Sequence, residues 1–484
     1  MAAVQSLTHR RGSGVVAGMS NALGTAIPSA KKPGTIAIPD GVRHLFNQAL
    51  QQQNIGDIQG ALELYRQIIE IFPILPDAYN NLAILLKGLR RLDAAVTCLK
   101  RAVLYAPPSG PLYSNLGNLL WMNLEFDEAM VAFRRALELA SDRPETFHNL
   151  GLLHYSLGDY RAAVDCYDRS LALKPESTLM RWDRALALLA SGDLRRGFEA
   201  YDVRFDLNDP TMRFDLKLRR VRSIPIPLWN GEDLAGKTLY LYAEQGAGDT
   251  IQFARFIPLL ARRGARVIFD CPPDLIRLMS GVPGIAELRS QVGEMPTPKA
   301  DFQLPLMSLA RCFGVTLETV PAPVPYLRPP LAIIGPNVPR PPGVRFAIGI
   351  VWAGRPEHAN DHNRSMPLQQ FLSLADLPGV ALYSLQKGPR AQDLAALSVN
   401  ALVYDLGPQI QDFVDTARMI EQLDLVISID TSVVHLAGAL GRPCFVLLPF
   451  TPDWRWLNGR DDTPWYPTLR LFRQSKPTDW AGVM

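Results

Sequence analysis

The chain of 484 residues is 48% hydrophobic and 20% charged, which excludes a disordered or fibrous protein and, at roughly 100–200 residues per domain, leaves room for several separate cores. Its 50 Lys and Arg against 47 Asp and Glu leave a net charge of +3, too small and too dispersed for the electrostatic footprint of a nucleic-acid binder. Five scattered cysteines (Cys98, Cys166, Cys271, Cys312, Cys444) with no Cys-x-x-Cys pair argue against a disulfide or metal framework, and without a run of about 18 apolar residues no membrane-spanning helix is expected.

Residues 1–40 read as an N-terminal tail rich in Gly, Ser, Lys and Pro. His9-Arg10-Arg11 followed by Gly14-Val15-Val16-Ala17-Gly18-Met19 imitates a signal peptide, but Ser20, Asn21 and Gly24 break the apolar region, so a cytoplasmic protein is expected. Over residues 41–211 a period of thirty-four sets in. Small residues recur at Ala61, Ala95, Ala129, Ala163 and Gly197, and a second small column, Ala49, Ala83, Gly117, Gly151 and Ala185, stands twelve positions earlier. Tyr65, Leu99, Phe133, Tyr167 and Tyr201 follow on the same helical face, and Pro73, Pro107 and Pro175 close three of the units. These columns resemble five tetratricopeptide (TPR) repeats, an α-solenoid of helix pairs. Asn47, Asn81, Asn115, Asn149 and Asp183 form a polar column on the first helix of each repeat. Along the groove such amides could hold an acceptor peptide by its backbone, or they could serve helix-pair packing alone.

Residues 212–236, with Arg219, Arg220 and Arg222, read as a linker. Beyond them short apolar runs alternate with amphipathic stretches, the pattern of a parallel α/β sheet. Over 237–330, strands are expected at Thr238–Ala243, Ala265–Cys271 and Asp301–Leu304, with a helix at Asp249–Arg263. A Pro-rich stretch, 321–342, then leads to a second half, 343–478. Its expected strands are Phe346–Trp352, Ala381–Gln386, Leu402–Leu406, Leu425–Ile429 and Cys444–Leu448, with helices at Leu368–Asp376, Asp412–Gln422 and Ser432–Leu440. Such doubly wound sheets bind ligands beyond the carboxyl ends of their strands, so the loops opening at Glu244, Ala353, Lys387 and Asp430 are where chemistry belongs.

Two of these loops stand out. In Gln245-Gly246-Ala247-Gly248-Asp249 the glycines let backbone approach a ligand, and Asp249 stands at a helix entrance, either as a helix cap worth about 1 kcal/mol or as a reacting carboxylate. In Ile429-Asp430-Thr431-Ser432-Val433-Val434-His435 a buried strand runs into a helix whose free N–H groups and hydroxyls could take a diphosphate. The bland alternative is a capped helix with a core histidine. Together the two segments resemble the heptosyltransferase-like (family 9) glycosyltransferases of the GT-B fold. The string Ala243 to Arg255, with Pro449-Phe450-Thr451-Pro452-Asp453-Trp454-Arg455-Trp456, is similar to the bacterial subfamily that adds TPR repeats to this module, flagellin glycosyltransferases among them.

The resemblance implies a TPR solenoid followed by a GT-B-like pair of Rossmann-like halves. It implies transfer from a nucleotide-sugar to a protein hydroxyl, inverting and without a metal or other cofactor, on a flagellin-like acceptor. Asp249 is then the general base, and Gly246, Gly248, Arg364, Lys387, Asp430, Thr431, Ser432 and His435 hold the donor. No Asp-x-Asp motif occurs, and His358 and His362 are placed in a loop. The first half is short for a full acceptor domain, which leaves the TPR groove and the Arg219–Arg222 linker as the acceptor surface. Trp454 and Trp456 either stack on the donor or pack a loop. Two rivals remain: transfer to lipopolysaccharide or another glycan, and an inactive TPR adaptor.

Overall fold

The computed structural model describes residues 37–206, 224–292, 296–358 and 360–484. The Arg219–Arg222 linker and nearly all of the N-terminal tail lie outside them. The chain divides into two compact units between Met180 and Arg181.

The first unit is built of helical hairpins: α1 (Asp40–Ile55) with α2 (Ile58–Ile71), α3 (Pro76–Gly88) with α4 (Leu92–Tyr105), α5 (Gly110–Met122) with α6 (Phe126–Leu139), and α7 (Pro144–Ser156) with α8 (Tyr160–Leu173). Local chemistry marks the helix starts. Asp57 and Asp159 accept from backbone N–H groups three residues on, and Pro76 and Pro144 open α3 and α7, where a missing N–H costs nothing. Both small columns are buried, and at Gly117 and Gly151 a large side chain sits directly on the backbone. A Cβ on Gly117 would fall 2.8 Å from the Phe133 ring, and one on Gly151 2.6 Å from the Tyr167 ring. The solenoid expected from the repeat is therefore the observed one.

The second unit begins inside α9 (Thr178–Ala190) and includes α10 (Leu194–Tyr201). The fifth repeat, expected within the solenoid, is thus largely part of the α/β unit. Phe198 meets the rings of Phe253, Trp454 and Trp465 edge-on at 6.1, 5.5 and 6.4 Å. Arg204, which is fully buried, donates to Glu244 Oε1 at 2.8 Å and to Ser308 Oγ at 2.9 Å.

Two wholly parallel sheets follow. The first runs in the order β3 (Ile285–Ser290), β2 (Arg266–Cys271), β1 (Thr238–Tyr242), β4 (Phe302–Pro305). The second runs β10 (Leu469–Arg473), β9 (Cys444–Leu448), β8 (Leu425–Ile429), β5 (Phe346–Val351), β6 (Val380–Ser384), β7 (Val403–Asp405). Counted within its own half, the second sheet has the doubly wound order 3-2-1-4-5-6, with its reversal between β5 and β8.

Several expectations need correction. Edge strands β3 and β10 were not among the expected ones, because both are short and mix charged with apolar residues, which blurs a buried-strand pattern. The expected helix at 249–263 is α11 (Ala247–Phe253), a 3-10 turn and α12 (Ile257–Arg262), broken where Pro258 cannot donate. Leu368–Asp376 is 3-10 rather than α. The second half also reaches past residue 478, since Trp480 and Val483 pack into its core. Among the described residues no helix is long and apolar enough to cross a membrane.

Candidate functional site

The loop after β1 turns at Gly246, the N-cap of α11. Asp249 is not the cap but the third helical residue, and its Oδ2 reaches back to accept from the Gly246 N–H at 2.9 Å, the one half of a capping box that an N-cap glycine without a side chain can share. Its other oxygen pairs with Arg455. Burial raises the Asp249 carboxyl above the ordinary range, while Arg455 pulls it down. Gly248 permits a close approach: a Cβ there would lie 2.8 Å from His435 Cδ2 and 3.5 Å from Ser432 Cα. The start of α11 therefore abuts the start of α14 (Ser432–Ala439), which follows α13 (Phe413–Gln422) and β8.

On the second half, β8 is buried throughout and ends at Ile429, with Asp430 next in the chain. Thr431 is the N-cap of α14, yet its hydroxyl lies 3.1 Å from Ser428 Oγ and does not cap the helix. The Asp430 carboxyl is raised to about 6 by burial and by nearby Asp453, with Arg364 acting against both. Arg364 Nη1 donates to the Asp430 carbonyl at 3.2 Å, and Gly354, just after β5, leaves room for that guanidinium. Gly354, Arg364 and Asp430 thus gather at the reversal between β5 and β8, where a doubly wound sheet opens its crevice.

His435 is buried, with Nδ1 2.9 Å from the Tyr466 hydroxyl and its ring stacked on Trp456 at 5.5 Å. Burial first, then Arg455 and Arg255, lower its pKa well below the ordinary value. Trp454 and Trp456 are both buried and pack among aromatic side chains. Lys387 is engaged elsewhere: its Nζ donates to the carbonyls of Gly407 at 3.1 Å and Ile410 at 2.9 Å, fastening the turn after β7. His362 lies in the one-turn helix Asp361–Arg364, and His358 Nδ1 accepts from the Asn360 N–H.

The Asn column is not uniform. Asn47 and Asn115 are exposed, Asn149 is half-buried, and Asn81 and Asp183 are buried. Asn81 donates to the Tyr65 hydroxyl at 3.1 Å, a packing role, whereas Asn115 donates to Asn80 at the surface.

Sequence reasoning assigned no role to Arg455, Gln252, Arg255 or Tyr466. Arg455 lies inside the motif that carries the resemblance, but nothing in its spacing shows that it meets Asp249, 206 positions away. Arg255 spans the halves as well, donating to the Trp465 carbonyl at 2.8 Å and the Tyr326 hydroxyl at 3.1 Å.

Tetratricopeptide repeat models match residues 56–120, 109–176 and 148–206. Protein FlbA of Caulobacter vibrioides is 28% identical over 298 residues, covering 54% of this chain and 47% of FlbA, so the match spans about half of that relative's length. Among solved structures, MamA is 21% identical with a TM-score of 0.31, over 35% of this chain and 94% of MamA. TTC0263, a thermophilic TPR protein in Thermus thermophilus, is 27% identical with a TM-score of 0.29, over 31% of this chain and 83% of its own.

Proposed function

We propose that the chain transfers a sugar from a nucleoside diphosphate sugar to a hydroxyl of a protein acceptor. One observation carries this reading: α11 and α14 meet start to start across the two halves, with Asp249 on one side and Asp430, Thr431 and Ser432 on the other. A carboxylate opposite a helix start is the pair that sugar transfer needs. Asp249 takes the proton of the acceptor hydroxyl, while the N–H groups of α14 and the Arg364 guanidinium stabilise the departing diphosphate. Direct displacement by that hydroxyl inverts the sugar carbon. The solenoid supports a protein acceptor, because repeats of this type present extended surfaces to other proteins. A flagellin-like acceptor and a cytoplasmic reaction, where nucleotide sugars are available, complete the proposal.

The test incubates the purified chain with a panel of nucleoside diphosphate sugars and candidate acceptors, flagellin-like proteins included, and reads intact masses. A sugar-sized increment on one protein is the expected result. Asp249→Asn should lower turnover by about a hundredfold or more while sparing donor affinity. Full turnover in that variant would reduce Asp249 to a helix-start residue. The adaptor reading draws on one observation, that both Asp249 oxygens already have partners. The absence of an increment on every acceptor would favour it.

A further inference from the structure

Arg455 sits in the loop after β9 with its guanidinium over the Trp454 ring, 4.2 Å from the centre, and is only 7% exposed. Each of its nitrogens is spent on a side-chain oxygen. Nε donates to Gln252 Oε1 at 2.7 Å, Nη1 to Asp453 Oδ1 at 2.7 Å, and Nη2 to Asp249 Oδ1. Gln252 and Asp249 belong to α11 in the first half, whereas Asp453 belongs to the second. The arginine therefore spans the two halves, and its far end is a carboxylate whose other oxygen is fixed by the Gly246 amide. A planar guanidinium can serve three acceptors from one rigid fork, which a lysine ammonium cannot reproduce.

We infer that Arg455 is the positioning residue of the α11 carboxylate: it aims Asp249 into the crevice only while the two halves are together, and favours its charged form there. The inference rests on the transfer reading, in which Asp249 is the base. Asp249 is faced by Arg455 and Asp453 from the loop after β9 and by Tyr201 from α10, while His435 of α14 lies against the neighbouring Gly248. Arg455 supplies the positive charge in that set, and it opposes both burial and Asp453. This partner favours the charged form of the carboxylate and keeps it hydrogen-bonded until a substrate hydroxyl arrives.

Carboxyl labelling of the full chain tests this without a donor. The wild type, Arg455→Gln, Arg455→Lys and Asp453→Asn are treated with a water-soluble carbodiimide and glycine ethyl ester from about pH 4 to about pH 8. Modification of Asp249 is read by peptide mass spectrometry against exposed Glu63. Arg455→Gln should move the labelling midpoint of Asp249 up by about one pH unit, a tenfold change in proton affinity, while Arg455→Lys stays closer to the wild type. Asp453→Asn should move the midpoint down. Mere loosening of the loop would shift both variants in the same direction, so parallel shifts, or an unmoved midpoint in Arg455→Gln, overturn the inference. Opposite shifts in a chain that moves no sugar would uphold the placement of Asp249 and reject the transfer reading. A transferring wild type with an unmoved midpoint would do the reverse.

Discussion

His435 shows how much a single side chain owes to its surroundings. Its place one turn into α14 can be read from the segment that carries it, whereas its partners, Tyr466 and Trp456, come from the C-terminal loops. With a pKa held well below the ordinary 6.5, the folded chain resists a proton that the unfolded chain accepts. The stability this contributes is fully present above about pH 6.5 and is lost as pH falls below it toward the depressed folded value. His435→Asn keeps a polar atom toward Tyr466 and cannot charge. Its melting temperature should therefore fall less steeply than that of the wild type as pH drops below about 6.5. Parallel melting curves would mean that His435 protonates in place.

At the scale of the helix pair, the glycines of the repeat separate packing from propensity. Gly117 and Gly151 lie under Phe133 and Tyr167, so a methyl group has nowhere to go. Gly117→Ala and Gly151→Ala should each destabilise by about 1–3 kcal/mol through overpacking, outweighing the roughly 1 kcal/mol gained in helix propensity. Gly88, at the end of α3, has nothing within 4 Å of a built Cβ, and Gly88→Ala should be neutral or slightly stabilising. Urea unfolding midpoints check the contrast; a loss in Gly88→Ala equal to that in Gly151→Ala would remove packing as the cause. These columns were legible because a repeat imposes the same contact every thirty-four residues. The Asn column was legible as a pattern only, since Asn81 turns inward to Tyr65 while Asn115 faces solvent.

Over the whole molecule, the question is where one unit ends. The repeat signal runs to Tyr201, but compactness divides the chain at Met180 and Arg181, inside α9. Arg204 fixes the end of the fifth repeat to the first α/β half through Glu244, and both side chains are essentially fully buried. Burial, only partly offset by Arg204, leaves the Glu244 carboxyl raised to about 7. Removing one member of such a pair strands the other, at a cost on the order of 3 kcal/mol. Arg204→Met should therefore lower the melting temperature of the α/β unit, and Arg204→Met with Glu244→Gln should recover much of the loss. A double variant no more stable than Arg204→Met would mean that the arginine acts through Asp202 and Ser308 instead.

Residues close together in the chain were enough to read what is local and periodic: the helix pairs, the alternation of strand and helix from Thr238 on, and the segments after β1 and β8 that carry Asp249 and Asp430. Each rests on residues a few positions apart, where backbone geometry alone sets which side chains share a face. Which charges meet was settled by folding of the whole chain. It brought Arg455 to Asp249 across 206 residues, gave Lys387 to the carbonyls of Gly407 and Ile410, and joined the fifth repeat to the α/β unit. The reason is physical: a charge leaving water must find a partner, but any of many carboxylates or carbonyls will serve, and the fold of the whole chain decides which is within reach.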